Sequence, residues 1–392
     1  APPLTLAQAV AMARATAPLQ AARTRADGAD AAWHLAGRLP NPSIEVRTEN
    51  WTFRGISRPP LGPGLDLFVT ATQPVELAGK RGHRRDLAAA GLSVAQADVG
   101  QLERLITLET ARTYLDALRA RGLIDVLATN RTSLEALVEI LSKRVAEGAA
   151  AESDLLKFRT EAARVDTQLA RTRIGLERRL TALGALLGLA GPVEAGRLVE
   201  PPPVPAPAGD AGLLARGAAD RQPAVVLARA RLAQAEQALA LERARRVPDP
   251  ALTGGYKRTD GDDTIVAAVV VPLPLFDRNG QAVALAQADA QAARLQLEAL
   301  TRQATADVTA TVRTAQALAA RAARVDADLL APAAAVRTSA RTAFEEGAVD
   351  LLTLVDAERV YADARREALD LKLDAFLSAV ESRLALGQED LP

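Results

Sequence analysis

Apolar residues recur at three- and four-residue steps over most of the chain, which is the spacing of an amphipathic helix. Between Lys80 and Ala146 no proline interrupts this pattern. About 65 residues of helix would be on the order of 100 Å long, so this stretch calls for a coiled-coil-like setting. The pattern turns at Glu147-Gly148 and resumes to about Leu189, with Ser153 placed to cap the second helix. It therefore predicts a long antiparallel helical hairpin.

Four shorter segments alternate apolar and polar residues, as half-buried strands do. They form two pairs, and each pair directly follows an X-Pro-[Asn/Asp]-Pro step. A Gly/Pro-rich loop joins the first pair, and the polar turn 260–263 joins the second. The predicted strands span 43–53, 65–73, 251–258 and 264–272.

This plan occurs twice in the chain, and both copies place their motifs in the same order. The first copy has Leu39-Pro40-Asn41-Pro42 and a hairpin turn at Glu147-Gly148; the second has Val247-Pro248-Asp249-Pro250 and a turn at Glu346-Gly347. A period of about two hundred residues is far longer than the 20 to 50 of solenoid repeats. We therefore predict a first repeat over 1–198, a proline-rich linker over 199–209 and a second repeat over 210–392, each with a helix, a strand pair and a long hairpin.

Prolines interrupt two of the predicted helices. The opening helix, from Leu4 to about Leu39, contains Pro18, and the long helix from Asn279 onward meets Pro332. Proline removes one helical hydrogen bond and clashes with the preceding turn, so Pro332 should kink or locally break its helix. The remaining predicted helices of the second repeat span 223–245 and 351–386.

Composition excludes several classes of function. The 392 residues are 49% hydrophobic but 3% aromatic, which is typical of long, closely packed helices. Lysine plus arginine equals aspartate plus glutamate at 48 each, so no net field favours nucleic acid. There is no cysteine, so disulfides, thiolate metal sites and cysteine nucleophiles are excluded. The opening Ala1-Pro2-Pro3-Leu4 resembles no signal peptide, so either numbering begins after cleavage or the protein is not exported.

No catalytic or metal-binding constellation occurs in the sequence. His34 and His83 are the only histidines and lie far apart. There is no glycine loop of the kind that cradles phosphate. We expect a chain that is not an enzyme and that holds neither a cofactor nor a metal of its own.

The strands are the candidate membrane segments. No run of 18 apolar residues occurs, which excludes a transmembrane helix. Four strands are too few to close a barrel, so membrane insertion would require several chains that pool their strands. Two chains would supply eight and three would supply twelve, and only the larger barrel would leave an aqueous lumen. Four aromatic residues in these regions either mark membrane interfaces or pack within the sheet, namely Trp51, Phe53, Phe68 and Tyr256.

Taken together, these features resemble those of a known family, the TolC-like outer membrane factors of Gram-negative efflux pumps. It is most similar to the outer-membrane components of heavy-metal and other resistance-nodulation-division exporters. The resemblance covers nearly the whole chain and depends on the order and spacing of its motifs in both halves. These motifs are residues 4–10 (LTLAQAV), 39–43 (LPNPS), 73–81 (QPVELAGKR), 271–280 (VPLPLFDRNG) and 344–352 (FEEGAVDLL).

The resemblance implies a mainly α fold with a small transmembrane β part. Three copies would form a homotrimer with a 12-stranded β-barrel in the outer membrane and a periplasmic α-barrel. The chain would be the passive exit duct of a tripartite pump. Its partners would be a periplasmic adaptor, an inner-membrane resistance-nodulation-division transporter and outer-membrane lipid. It would be located in the outer membrane, with a long periplasmic portion.

The resemblance also implies functional residues at the hairpin turns. Two tips match the family positions that engage adaptor hairpins, although plain turns would explain the same glycines. Ser153 and Asp154 match one side of the contact that closes the aperture, Asp356 matches an acidic ring, and Asp350 adds charge to the tip. Solvation near a helix N-terminus is the alternative for Asp154 and Asp350. The tip residues are Glu147, Gly148 and Ala149 in the first repeat and Glu346, Gly347 and Ala348 in the second.

Departures from the family pattern weaken one expectation. Phe344 stands where a hydrogen-bonding tyrosine is common, Val349 where some members have arginine, and Thr353 where some have a second aspartate. The polar lock of those relatives is therefore not expected in the same form.

Two functional questions stay open on the sequence. The alternative to a duct is a soluble periplasmic coiled-coil tether or adaptor without a pore, but a tether would not need four symmetrically placed strands. Metal cations, drugs and secreted polypeptides all remain possible cargoes. Heavy-metal cations are the expected one.

Overall fold

The computed structural model describes residues 2–50, 66–259 and 261–388. Long helices dominate, as predicted, and none of the described helices combines the length and apolar composition needed to cross a membrane. A π-helical turn, Asp326–Leu330, separates two of them. The helices are α1 Leu6–Ala13, α2 Ala17–Ala36, α3 Lys80–Ala146, α4 Glu152–Leu186, α5 Ala211–Ala218, α6 Pro223–Ala244, α7 Gly280–Ala322, α8 Ala331–Glu345 and α9 Leu351–Ala385.

The described strands form one antiparallel sheet in chain order. They are β1 Ser43–Glu49, β2 Asp66–Pro74, β3 Ala251–Thr259 and β4 Asp262–Val270. β4 begins two residues earlier than predicted because Asp262 and Asp263 still pair with β3. It ends at Val270, and Pro272, which has no amide to donate, follows. β2 and β3 lie inside the sheet, and β1 and β4 lie at its edges.

The chain divides into two compact units. The strand unit comprises Ala22–Val99 and Val226–Leu300; the helical unit comprises Ala1–Ala21, Gly100–Val225 and Thr301–Pro392. Each unit takes segments from both predicted repeats. The repeat boundaries at 198 and 210 themselves remain a prediction.

In the strand unit, the helix entry after β2 is tied to the proline step before β3. The Lys80 ammonium lies 2.7 Å from Asp249 and also donates to the Val247 carbonyl. Burial opposes ionisation of Asp249, but hydrogen bonds from Lys80 and the Leu77 amide, with attraction to Lys80 and Arg84, outweigh it. The pKa of Asp249 is therefore lowered.

In the helical unit, one buried tyrosine joins the start of the chain to the linker. The Tyr114 hydroxyl lies 2.7 Å from the carbonyl oxygens of Leu4 and Val199, and the Val199 amide donates to it. Burial raises the pKa of Tyr114, although its hydrogen bond to Val199 acts in the opposite direction. The proline-rich stretch after Val199 forms neither helix nor strand as far as Ala208.

The prolines act as predicted, with one shift of position. The break in the opening helix falls between α1 and α2, and Pro18 lies in the first turn of α2, where its missing amide removes no hydrogen bond. The turns before Pro332 are irregular, with a π-helical turn directly ahead of it. Helix α5 was not predicted, because its eight residues form only about two helical turns, too few for the spacing of apolar residues to indicate a helix.

Candidate functional site

The two hairpin tips adopt the same turn. Gly148 and Gly347 have φ angles of 73° and 75°, in the left-handed region that glycine adopts without strain. In each tip the glycine amide donates three residues back and the following alanine amide donates five residues back. This is the Schellman arrangement, which satisfies the last carbonyls of α3 and α8. The predicted turns at Glu147-Gly148-Ala149 and Glu346-Gly347-Ala348 are therefore present.

The two helices that follow the tips begin differently. Asp350 caps α9, and its carboxylate accepts hydrogen bonds from the Thr353 amide at 2.9 Å and the Thr353 hydroxyl at 2.5 Å. The bond from the Thr353 hydroxyl and then the one from its amide lower the pKa of Asp350. Ser153 does not cap α4, contrary to the prediction. The helix begins earlier, at Glu152, and its N-cap Ala151 has no side chain that could accept a bond.

An open cleft of about 580 Å³ lies between the starts of α4 and α9, next to the end of α3. It brings together three of the predicted aperture residues, Asp154, Asp350 and Asp356, with Ala149 from the first tip. Ser153 and the other tip residues do not line it. The remaining lining residues are Leu141, Arg144, Ala150, Lys157, Phe158, Glu161, Leu351, Leu352, Val355 and Arg359.

The acids of the cleft differ in their partners. Asp154 lies 3.1 Å from Lys157 on the same helix, and Asp350 is occupied as a cap. Asp356 is exposed, and within the described residues no hydrogen bond or ion pair holds it. Of the three, Asp356 is therefore the carboxylate whose oxygens no side chain or amide of the described residues occupies.

The floor of the cleft is apolar and joins both hairpins. Leu141, Leu155 and Phe158 form a buried cluster, against which Leu351 and Val355 of α9 pack. A second cluster joins Leu137 of α3 to the α8–α9 hairpin, with the members Ala340, Leu354 and Ala357. The position of the acids is thus set by buried contacts between the two hairpins.

Sequence reasoning missed the basic side of this site. The Arg144 guanidinium lies 5.5 Å from the centre of the Phe344 ring, a cation–π contact between α3 and α8. In the sequence, Phe344 is distinguished only because it stands where a tyrosine is common in the family. The signal was available, because Arg144 lies three residues before Glu147 in the last turn of α3, but nothing in the sequence pairs it with the second repeat.

A second candidate surface is one face of the sheet. Ile44 and Ile265 are 75% and 90% exposed, and Tyr256 pairs directly with Ile265 in the register. The opposite face carries Phe68, whose ring is contacted by Arg47 and Lys257 from the neighbouring strands. Tyr256 and Phe68 therefore lie on opposite faces, and Trp51 and Phe53 lie outside the described residues. The alternation of one apolar and one polar face is that of a membrane strand.

Resident metal chemistry has no candidate site in the part of the chain that the structure describes. No group of three or more histidine, aspartate or glutamate side chains lies there in a position to hold an ion.

Comparisons with known proteins identify chains of similar sequence. A family model described as outer membrane efflux protein matches residues 214–388. The nickel-cobalt-cadmium resistance protein NccC of Alcaligenes xylosoxydans xylosoxydans is 30% identical, over 79% of this chain and 71% of its own. The cobalt-zinc-cadmium resistance protein CzcC of Cupriavidus metallidurans is 29% identical, over 98% of this chain and 90% of its own.

The fold is shared with the solved structure of a bacterial outer membrane protein. The outer membrane protein VceC from Vibrio cholerae superposes with a TM-score of 0.80 at 23% identity, covering 97% of this chain and 96% of its own. The predicted fold class, mainly helical with four antiparallel strands per chain, is confirmed. The chain belongs to the outer membrane efflux protein family.

Proposed function

We propose that three copies of this chain form the exit duct of a tripartite pump that exports heavy-metal cations. The duct is passive and performs no chemistry, since energy would come from an inner-membrane transporter. A periplasmic adaptor would join that transporter to the hairpin tips at Gly148 and Gly347. The observation that carries the proposal is the cleft in which both hairpins bring Asp154, Asp350 and Asp356 together.

The sheet supports insertion of the strands into the outer membrane. One of its faces exposes Ile44, Val46, Ile265 and Val269, which would contact lipid. Both of its outer strands lack a second partner within the described chain, and an open edge is not tolerated in lipid. Pairing β4 of each copy with β1 of the next would close twelve strands, enough for an aqueous lumen.

The cleft supports a gate with a preference for cations. Three copies of Asp356 around one axis would repel one another and attract cations, as rings of acidic residues do in cation channels. The names of the relatives CzcC and NccC refer to cobalt, zinc, cadmium and nickel resistance. Divalent metal cations are therefore the cargo that we propose.

Conductance across a planar bilayer tests this function. We expect cation-selective steps from a particle of three chains, and Asp356→Asn should reduce the preference for cations over anions. Asp166→Asn is the matched control, because Asp166 is an exposed acid on α4 that pairs with Arg131 outside the cleft. A trimer that conducts without selectivity in either variant would refute the acidic gate. A monodisperse monomer without conductance would favour the tether.

A duct whose tip is closed would show no conductance even if the proposal is right. A second variant therefore distinguishes a closed duct from a chain that forms no duct. Asp154→Ala removes a carboxylate that faces the cleft and its pair with Lys157. We expect it to raise the open probability of a trimer that is otherwise silent. If light scattering confirms a trimer and neither the parent protein nor Asp154→Ala conducts, the proposed duct is contradicted.

A further inference from the structure

The internal duplication supplies a template for the contact between copies. Inside one chain, the segment after β2 lies against the proline step before β3. The Val75 amide donates to the Pro250 carbonyl at 2.8 Å, and the Leu77 amide donates to the Asp249 carboxylate at 2.9 Å. Lys80 completes this junction by binding Asp249 and the Val247 carbonyl.

Each partner of this junction has a counterpart in the other repeat. The segment after β4, Val271–Arg278, corresponds to Gln73–Lys80, with Leu273 in place of Val75 and Arg278 in place of Lys80. The step before β1, Leu39–Pro42, corresponds to Val247–Pro250. These counterparts follow and precede the two edge strands, so within one chain they do not form the equivalent junction.

Both counterparts are apolar and exposed. Phe276 is fully exposed, Leu273 and Leu275 are 72% and 68% exposed, and Leu39 is 61% exposed. The amide of Leu273, the counterpart of the Val75 donor, has no acceptor among the described residues. Exposed apolar groups beside unpaired backbone are the features of a surface that another chain covers.

The exposed loop after β4 is anchored to α6 at its end. The Asn279 side-chain amide donates to the carbonyl and the carboxylate of Glu242 on α6, at 2.9 and 2.8 Å. The Leu275 amide donates to the Leu273 carbonyl, and Pro272 and Pro274 restrict the backbone between them. These restraints on the backbone lower the cost of ordering the loop when another surface binds its apolar side chains.

We propose that Val271–Arg278 of one copy packs on Leu39–Pro42 of a neighbouring copy, in the arrangement that Gln73–Lys80 and Val247–Pro250 adopt within one chain. The Leu273 amide then donates to the Pro42 carbonyl of the neighbour. Asn41 of the neighbour takes the place of Asp249, so the ion pair of the internal junction becomes a hydrogen bond with Arg278. The proposal rests on the proposed trimer and specifies which residues of neighbouring copies lie opposite each other.

A second copy fits this surface better than lipid does. The Leu273 amide needs an acceptor, and the Arg278 guanidinium has donors left beyond the Nε that lies 3.4 Å from the Pro274 carbonyl; hydrocarbon offers an acceptor to neither. The contact joins two different surfaces of identical chains, and such head-to-tail contacts form a ring when the rotation between neighbouring copies closes after three copies. The internal junction already shows that one sequence pattern can accept the other.

Cysteine cross-linking tests the register, because the chain has no cysteine of its own. Within the sheet Gln73 pairs with Leu252, and their counterparts are Val271 and Ile44. The variant Val271→Cys with Ile44→Cys should therefore oxidise to covalent trimers in the detergent-purified protein. Either single variant should remain monomeric in denaturing gels. Gln73→Cys with Leu252→Cys is the internal control and should cross-link within one chain.

A shifted pair makes the test specific. Ala267→Cys with Ile44→Cys places the first cysteine four residues earlier, within β4, and should give no covalent trimer. Light scattering establishes whether the protein is a trimer. If it is, and the Ala267 pair cross-links while the Val271 pair does not, the proposed register between copies is wrong, but the proposed duct is not contradicted. A monomer without conductance would overturn both proposals.

The loop itself is tested by Phe276→Ser, with Leu213→Ser as a control at an exposed apolar residue of α5. We expect only Phe276→Ser to lower the temperature at which the trimer dissociates. Equal dissociation temperatures for Phe276→Ser and the parent protein would overturn the packing of this side chain on a neighbour.

Discussion

The helices α4 and α9 follow equivalent tips and bury different side chains at equivalent positions. The offset that brings Gly148 onto Gly347 is 199 residues. At this offset both helices start with a buried leucine, Leu155 and Leu354, and then diverge. Six later buried positions of α4 carry large side chains, namely Phe158, Val165, Leu169, Leu176, Leu180 and Leu183. Their counterparts are also buried but small, namely Ala357, Ala364, Ala368, Ala375, Ala379 and Ser382.

The difference shows that duplicated helices can keep one buried face and change how closely neighbours approach. Small side chains permit short distances between helix axes, and bulky ones hold helices apart. Gly122 of α3 makes room for a large side chain of α9, because a Cβ there would lie 2.7 Å from the Leu369 side chain. At these six positions α9 packs through small side chains and α4 through large ones, although α9 also buries the large residues Phe376, Val380 and Leu384 elsewhere along its length.

Truncating a large residue of α4 should have the largest effect. Leu169 is 1% exposed and packs with Leu127, Leu134 and Val165. Leu169→Ala leaves a cavity and should lower the free energy of unfolding by about 2–5 kcal/mol. Urea unfolding followed by circular dichroism measures this, with exposed Leu156→Ala as the control. Equal losses in the two variants would contradict the packing of α4.

Enlarging a small residue of α9 should have the next largest effect. Ala368 is 3% exposed, and Ala368→Leu has no space to fill, so overpacking should cost about 1–3 kcal/mol. Ala163→Leu on the exposed side of α4 is the matched control, with an expected change within about 0.5 kcal/mol. If Ala368→Leu were as stable as the parent, the close approach of α9 would be refuted.

A charge distinguishes the buried face of α9 as well. Glu358 is 4% exposed and lies 3.2 Å from Arg337 of α8, whereas its counterpart on α4 is the exposed Arg159. Glu358→Gln keeps the shape and loses the charge, so it should cost about 1 kcal/mol. The same unfolding experiment measures it. An unchanged stability at neutral pH would show that the pair contributes nothing net.

How much of this could be predicted from sequence depends on the range of the interactions. The tips were predictable because Glu-Gly-Ala turns depend on local backbone preference, and the break near Pro332 depends on one missing amide. The α4 cap at Ser153 was predicted wrongly, since three adjacent residues can start a helix and only tertiary packing selects among them. The contact of Arg144 with Phe344 joins residues 200 positions apart, and no local pattern reports it.

The smallest expected effect concerns the caps, and pH separates it from packing. Asp350 caps α9, while Ala151 leaves α4 without a side-chain cap. Asp350→Ala should therefore speed hydrogen exchange in the first turn of α9, and Ala151→Asp should slow hydrogen exchange in the first turn of α4.

Because the pKa of Asp350 is lowered in the folded protein, the stability that its cap contributes is present above the ordinary carboxyl pKa and is lost as pH falls through the lowered value. Asp350→Asn keeps an acceptor that does not titrate in this range, so its first turn should not lose protection on acidification. If parent protein and Asp350→Asn lost protection together as the pH fell, a different group would control the start of α9, and the contrast between the two tips would not arise from their caps.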